Sequence, residues 1–266
     1  MASGDTGEAA RHNRGAWDSF RRQRDEGLVG GRRDVVARLV GGRSYLHSQY
    51  RALAGDVTGK RLLDLGCGDG AELLSWARLG AFVVGVDNSP RQLAVAQQGV
   101  EALGLTADRC RLVLGDLLRL PDDLLRAEFE VVFSAGVTSW IGDLERWFTA
   151  VHRALKPGGV FILAAAHSLS LFYGARERGA SDWETYFDEG PFMEQLGEDG
   201  VRHRWNPAGD GLTTVQWMHT LGHMVTAVAQ TGLRISHLVE ISDQEELYSV
   251  AGGPGELILR ATKDGD

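Results

Sequence analysis

Lysine is scarce in this chain of 266 residues: of its 28 basic groups only Lys60, Lys156 and Lys263 are lysine, and the rest are arginine. With 35 glycines and abundant alanine, that bias matches GC-rich coding and carries no mechanism. Cysteine is scarcer still, and Cys67 with Cys110 cannot build a disulfide framework. No run of about 18 apolar residues occurs, so no membrane-spanning helix is expected. Residues 1–33 are polar and lack the apolar stretch of a secretory signal, which points to a cytoplasmic protein. Positive charge is also in deficit, because 36 acids leave a net charge of −8. Broad nucleic-acid binding rests on neutralising phosphates with Lys and Arg and is not expected here. A hydrophobic fraction of 43% over this length is enough for a core that needs no metal or disulfide staple.

What is present divides into a basic opening and an alternating body. Between Arg11 and Arg43 nine arginines face four acids, and Trp17 and Phe20 stand three apart. That reads as a short basic helix with a small apolar stripe, part of an N-terminal helical cap over residues 1–57. From Arg61 onward apolar strands alternate with helices. Strands are expected at 61–65, 82–86, 111–114, 130–133, 160–166, 234–241 and 257–261. Helices are expected at 71–79, from Ser89-Pro90 to Gly104, from Asp143 to Leu155, and at 217–231. Such alternation implies an α/β domain over residues 58–266, a parallel sheet with helices on both faces. Residues 168–215 break the repetition and are too long for a plain connection. They are read as a lid inserted at the C-terminal rim of the sheet.

The chemistry concentrates after the first strand. Asp64-Leu65-Gly66-Cys67-Gly68-Asp69-Gly70 closes that strand and opens a helix, whose first N–H groups lack partners. Glycines there let backbone approach a ligand closely. Asp87 ends the second strand about 20 residues later, where a carboxylate accepts both hydroxyls of a ribose. Dinucleotide enzymes share those two features. Asp64 separates the candidates, because a carboxylate pointing into the turn repels a pyrophosphate and attracts an ammonium. Asp116 ends the third strand, where it could accept from an adenine amino group. The set describes a site for an adenosine whose far end is positively charged.

In order and spacing, this turn, Asp87, Gly115-Asp116 and Lys156-Pro157-Gly158-Gly159 resemble the class I S-adenosylmethionine (SAM)-dependent methyltransferases. The resemblance is firm over about residues 58–166 and holds in outline over 217–262. It implies a Rossmann-like, doubly wound, seven-stranded sheet with the last strand antiparallel, and S-adenosylhomocysteine (SAH) as product. Carried over to this chain, it places Gly66, Cys67 and Gly68 beside the methionine part and Asp87 on the ribose. Asn88, Asp116 and Leu117 would lie around the adenine, with Ser134 and Ala135 on the floor near the sulfonium.

The acceptor is less legible. No Asn-Pro-Pro-aromatic run follows the fourth strand and no cysteine stands there, which disfavours amide or exocyclic-amine and covalent cytosine chemistry. Between Ser181 and Gly200 seven acids and no Lys or Arg surround Trp183, Tyr186, Phe187 and Phe192. An acidic, aromatic lid suits a small aromatic or amine-bearing molecule. Methylation of an O or N atom of a small metabolite, with carbon as a further option, is the expected activity, with specialised metabolism as its expected setting. A modifier of RNA or protein, or a silent SAM-binding module, are the alternatives. His219 is the first candidate for a general base and His167 the second. His219 and His223 share a helix face at i, i+4, but no further ligand stands nearby in sequence, so no metal is expected.

Overall fold

A computed structural model describes residues 6–28, 34–177, 184–195, 213–242 and 252–265. Three helices open the chain: α1 (Thr6–Asp25), α2 (Val35–Val40) and α3 (Ser48–Ala54). The alternating body follows with β1 (Arg61–Leu65), α4 (Ala71–Arg78), β2 (Phe82–Asp87), α5 (Pro90–Ala102), β3 (Cys110–Leu114) and β4 (Phe129–Ala135). Then come α6 (Leu144–Ala154), β5 (Leu155–Ala166), α7 (Ser168–Glu177), the short strands β6 (Phe192–Gln195) and β7 (Thr213–Gln216), α8 (Leu221–Gln230), β8 (Leu233–Ser242) and β9 (Pro254–Lys263). No described helix is long and apolar enough to cross a membrane.

The main sheet has seven strands in the order β3-β2-β1-β4-β5-β9-β8, and β6 pairs with β7 in a separate ribbon. β1 to β2, β2 to β3 and β4 to β5 are parallel pairs. β9 is antiparallel to both β5 and β8. The expected sheet, with its antiparallel last strand, is the observed one.

Local sequence accounts for most boundaries. Ser89 caps α5 by accepting from the Gln92 N–H, with Pro90 at the first helical position. Asp143 caps α6 by accepting from the Arg146 N–H at 2.9 Å. The expected helix over 217–231 starts later than its pattern suggested. Thr220 accepts from the His223 N–H and begins the helix at Leu221, so His219 precedes the cap. Lys156-Pro157-Gly158-Gly159 does not end in a turn before β5. It bulges out within that strand, between the Phe129–Leu155 and Val131–Val160 pairs.

Two compact units divide the chain, and neither is the segment 1–57. The first joins residues 1–46, 57–119 and 193–215; the second joins 47–56, 120–192 and 216–266. The opening helices are shared out because α1 and α2 both pack on α5, whereas α3 packs on β5 and β9. In the first unit α1 buries Ala9, Asn13, Ala16, Phe20 and Gln23, a stripe with helical spacing that includes polar groups. In the second unit Tyr50 of α3 packs its ring 5.3 Å from that of Phe133. The second unit's core is aromatic, with Trp147, Phe148 and Phe161 mutually in contact and fully buried.

In the first unit the turn after β1 rests on Gly85 of β2. A Cβ at Gly85 would lie 2.6 Å from Leu73 Cδ2 and 2.7 Å from Cys67 Sγ. Gly85→Ala should therefore cost about 1–3 kcal/mol by overpacking, read from urea-unfolding midpoints. An unchanged midpoint would show that the turn and α4 yield without strain.

Candidate active site

In the first unit, β1 delivers Asp64 and the glycine turn, β2 delivers Asp87, and β3 leads to Asp116. Asp87 is tied into the turn: its Oδ2 accepts from the Gly68 N–H at 2.9 Å and its Oδ1 from the Ser89 N–H at 2.8 Å. One carboxylate thus fixes both the turn and the start of α5, and each oxygen keeps a lone pair. Burial raises Asp87 above the usual carboxylate range, and these N–H bonds oppose the rise. Gly68 adopts φ +53°, and a Cβ built there meets nothing within 4 Å, so open space lies against this backbone.

Asp64 is 2% exposed, and its Oδ2 is buried without a hydrogen-bond partner. Burial, then Glu72 and then Asp87, push its carboxyl well above the ordinary value. An acceptor stripped of water and left unpaired costs free energy, and a donor cation in the space beside it would recover that cost. This is where the residues fit a cofactor that carries an ammonium.

Cys67 contributes backbone only. Its side chain is turned into the core against Gly85, where burial above all pushes the thiol up and keeps it protonated. Burial likewise pushes Cys110 up to about 11. Asn88 donates from Nδ2 to the Ala10 carbonyl of α1 at 3.2 Å. Asp116 caps its own turn by accepting from the Leu118 N–H at 2.9 Å, and Leu117 is half-buried beside it.

α1 is bound to this cradle by polar contacts, where sequence suggested an aromatic edge. Asp18 Oδ1 accepts from the Ser89 hydroxyl at 2.6 Å. Arg21, 1% exposed, and Arg24 both reach Asp69 Oδ2 at 3.3 Å, gripping the acid inside the glycine turn. Asn13 pairs through both amide atoms with the Val215 backbone at 2.8 Å, joining α1 to the β7 ribbon. The expected N-terminal cap and the end of the expected lid are therefore bonded to each other. No local pattern marks Asn13 or Arg21 for these contacts.

The second unit holds the remaining predicted residues. Ser134 is buried at the end of β4 and Ala135 is half-buried next to it. His167 is 1% exposed with both nitrogens engaged: Nδ1 accepts from the Leu169 N–H at 3.3 Å and Nε2 stands 2.9 Å from Glu240. It caps α7 and ties it to β8, which leaves no lone pair for catalysis. His219 differs. Its Nε2 lies 2.6 Å from the Ile141 carbonyl, which can only accept, so the proton is on Nε2. Nδ1 is then a buried lone pair, and it has no hydrogen-bond partner. Burial lowers His219 despite the Ile141 bond, so the ring is neutral near pH 7.

Two glutamates that sequence did not single out surround this pair. His223 Nδ1 lies 2.8 Å from Glu189 Oε2, and its Nε2 lies 3.0 Å from Glu145 Oε1. Burial would lower His223, but the two carboxylates outweigh it and hold the ring above its ordinary value. Asp182, Trp183, Glu198 and Asp199 lie outside the described residues, and Glu194 carries no described side chain.

Asp64 generates a stability prediction. The folded chain holds this proton more tightly than the unfolded chain does, so the associated stability is full below about pH 4 and is lost as pH rises through the raised folded value. Asp64→Asn removes that loss. Without ligand, the variant should unfold at higher urea than the parent at pH 7 and should bind SAH more weakly. Lower stability at pH 7 would mean that the carboxylate is already satisfied.

Comparison with known proteins follows the same outline. A family model described as a methyltransferase domain matches residues 63–163. A ubiquinone biosynthesis O-methyltransferase from Cereibacter sphaeroides is 39% identical over 104 residues, which is 39% of this chain and 40% of that protein. The chain thus spans about two fifths of the length of that relative. Among solved structures, an S-adenosylmethionine-dependent methyltransferase from Mesorhizobium loti superposes with a TM-score of 0.62 at 24% identity, covering 84% of this chain and 99% of that one. Magnesium protoporphyrin IX methyltransferase from Synechocystis, solved with bound SAH, gives 0.60 at 16% identity over 96% and 100%. Residues 63–163 are thus similar to a methyltransferase domain, and the fold is one shared with SAM-dependent methyltransferases of known structure.

Proposed function

We propose that this protein transfers a methyl group from SAM to an oxygen atom of a small aromatic molecule. The observation that carries the reading is the buried, partnerless Asp64 Oδ2 beside a glycine turn held open by Asp87. When bound, SAM supplies a methyl group already activated on a sulfonium. The chain's residues then need only bind, orient and exclude water. Asp64 would take the ammonium and Asp87 the ribose hydroxyls. The N–H groups of the turn and of Leu117 would line the rest, with Asp116 at the adenine edge. Ser134 and Ala135 would form the floor near the sulfonium in this reading.

Oxygen is favoured over nitrogen by the curated relative, whose name is that of an O-methyltransferase. Aromatic character is supported by the insertion. Phe172, Tyr173, Tyr186 and Phe187 form a chain of edge contacts at 5.4–6.3 Å, with Tyr173 51% and Phe187 78% exposed. Rings left in water on a helix and loop of the insertion offer stacking surface to a ring in solution. The direct test incubates the protein with isotopically labelled SAM and host extract and identifies the labelled product by mass spectrometry. A labelled oxygen of a small molecule is expected; label in RNA or protein, or in nothing, overturns the reading. Asp87→Ala should weaken SAH binding at least tenfold, since charge-assisted bonds are worth about 1.5–3 kcal/mol each. Unchanged calorimetric affinity would remove Asp87 from the site.

A hydroxyl acceptor must lose a proton, and in this reading His219 Nδ1 receives it. His219→Ala should lower turnover about 10²–10⁴-fold while SAH affinity holds. His167→Ala should instead lower the unfolding midpoint and leave the surviving enzyme's turnover near that of the parent. The reverse pattern would exchange the two roles.

A further inference from the structure

His219, His223, Glu189 and Glu145 come from three places in the second unit: the start of α8, the loop before β6, and the first turn of α6. One ligand atom each from Glu189, His219 and His223 lies within 4.8 Å of the others. We propose that these three residues form a site for a divalent transition-metal ion, with Glu145 and the Ile141 carbonyl as its outer support.

The arrangement of the nitrogens carries the argument. A metal-binding imidazole presents one lone pair to the ion and donates its other N–H to a carbonyl or carboxylate. His219 already stands that way, with Nε2 committed to Ile141 O at 2.6 Å and Nδ1 buried and unpartnered. His223 follows the same plan, with Nε2 on Glu145 at 3.0 Å and Nδ1 turned to Glu189 at 2.8 Å. The proton between His223 Nδ1 and Glu189 occupies the place an ion would take. The two rings meet edge to face with centroids 5.3 Å apart. Ligands about 2.0–2.2 Å from one ion stand about 3–4 Å from each other, so small rotations of Glu189 and His223 close the set.

The donor set also limits the ion. Two imidazoles and one carboxylate suit Zn²⁺ or Fe²⁺ more than Mg²⁺ or Ca²⁺, which prefer oxygen alone. Glu189 and Glu145 together bring two negative charges to meet a divalent charge. Three protein ligands leave at least one position open on a tetrahedral ion, the pattern of sites that bind a further molecule. An ion here would also clamp the insertion, through Glu189, onto α8. Because an occupied site uses His219 Nδ1 as a ligand in place of a base, the inference is judged by metal binding and does not depend on methyl transfer.

The experiment uses the untagged full chain freed of metal by chelator and dialysis. Zn²⁺ is titrated by calorimetry, and Co²⁺ is followed by its visible absorption. One equivalent should bind with a dissociation constant in the micromolar range or tighter, Co²⁺ should develop tetrahedral or five-coordinate bands, and Zn²⁺ should raise the melting temperature. Glu189→Gln and His223→Ala should each weaken binding at least a hundredfold. Glu145→Gln should weaken it about 10–100-fold through loss of outer support. His237→Ala, on exposed β8, should leave binding unchanged. Melting of the metal-free variants near the parent's temperature establishes that loss of binding is not loss of fold. Absence of saturable binding by the parent overturns the inference, as does binding that survives in both Glu189→Gln and His223→Ala.

Discussion

The carboxylate of Asp87 holds the candidate cofactor cradle together. It accepts the N–H of Gly68 from the turn after β1 and the N–H of Ser89 at the start of α5. Without an acceptor there, two buried N–H groups would lose their partners and the turn would be free to close on the space it guards. The same residue sits at the end of a parallel strand pinned on both sides, by β1 and by β3. Strand pairing fixes Asp87, and Asp87 fixes the turn.

Around that point the chain accepts local costs that make sense only with a ligand. Asp64 is buried with an empty lone pair and with Glu72 and Asp87 as like-charged neighbours. Asp69, inside the turn, requires two arginines from α1 to be tolerated at 5% exposure. A cradle of carboxylates this dense is unfavourable alone and becomes favourable when a cation enters. α1 is thus part of the cradle's electrostatics, and its attachment through Ala10, Asn13, Asp18, Arg21 and Arg24 explains why a polar helix stays docked.

The second unit applies the same economy to histidines. His167 and His219 are both buried next to strand ends, yet their surroundings set them apart. Glu240 and the Leu169 amide consume His167, while the Ile141 carbonyl takes only one nitrogen of His219 and burial keeps the other neutral. Hydrogen-bond partners, more than burial, decide which imidazole keeps a usable lone pair.

The sheet with its antiparallel last strand and the acidic glycine turn were legible because their signals are written in short range. Apolar runs of strand length, Ser89-Pro90, and the Asp64-to-Gly70 spacing act within a few residues of each other, so periodicity and turn chemistry reveal them. The start of α8 was misplaced because Trp217, Met218 and His219 continue the apolar pattern, while the Thr220 cap outweighs it. Asn13 with Val215, Arg21 with Asp69, and Glu189 with His223 were not legible at all. Each pair joins residues from different elements, and a carboxylate or an amide leaves no periodic trace of the distant partner it will meet. Sequence alone determined the largely parallel sheet with its antiparallel last strand and the acidic glycine turn that follows its first strand. Only the tertiary structure decided that α1 grips the cradle, that His167 is spent on capping, and that two glutamates close around His223, because charge pairing is settled by where the folded backbone brings groups out of water.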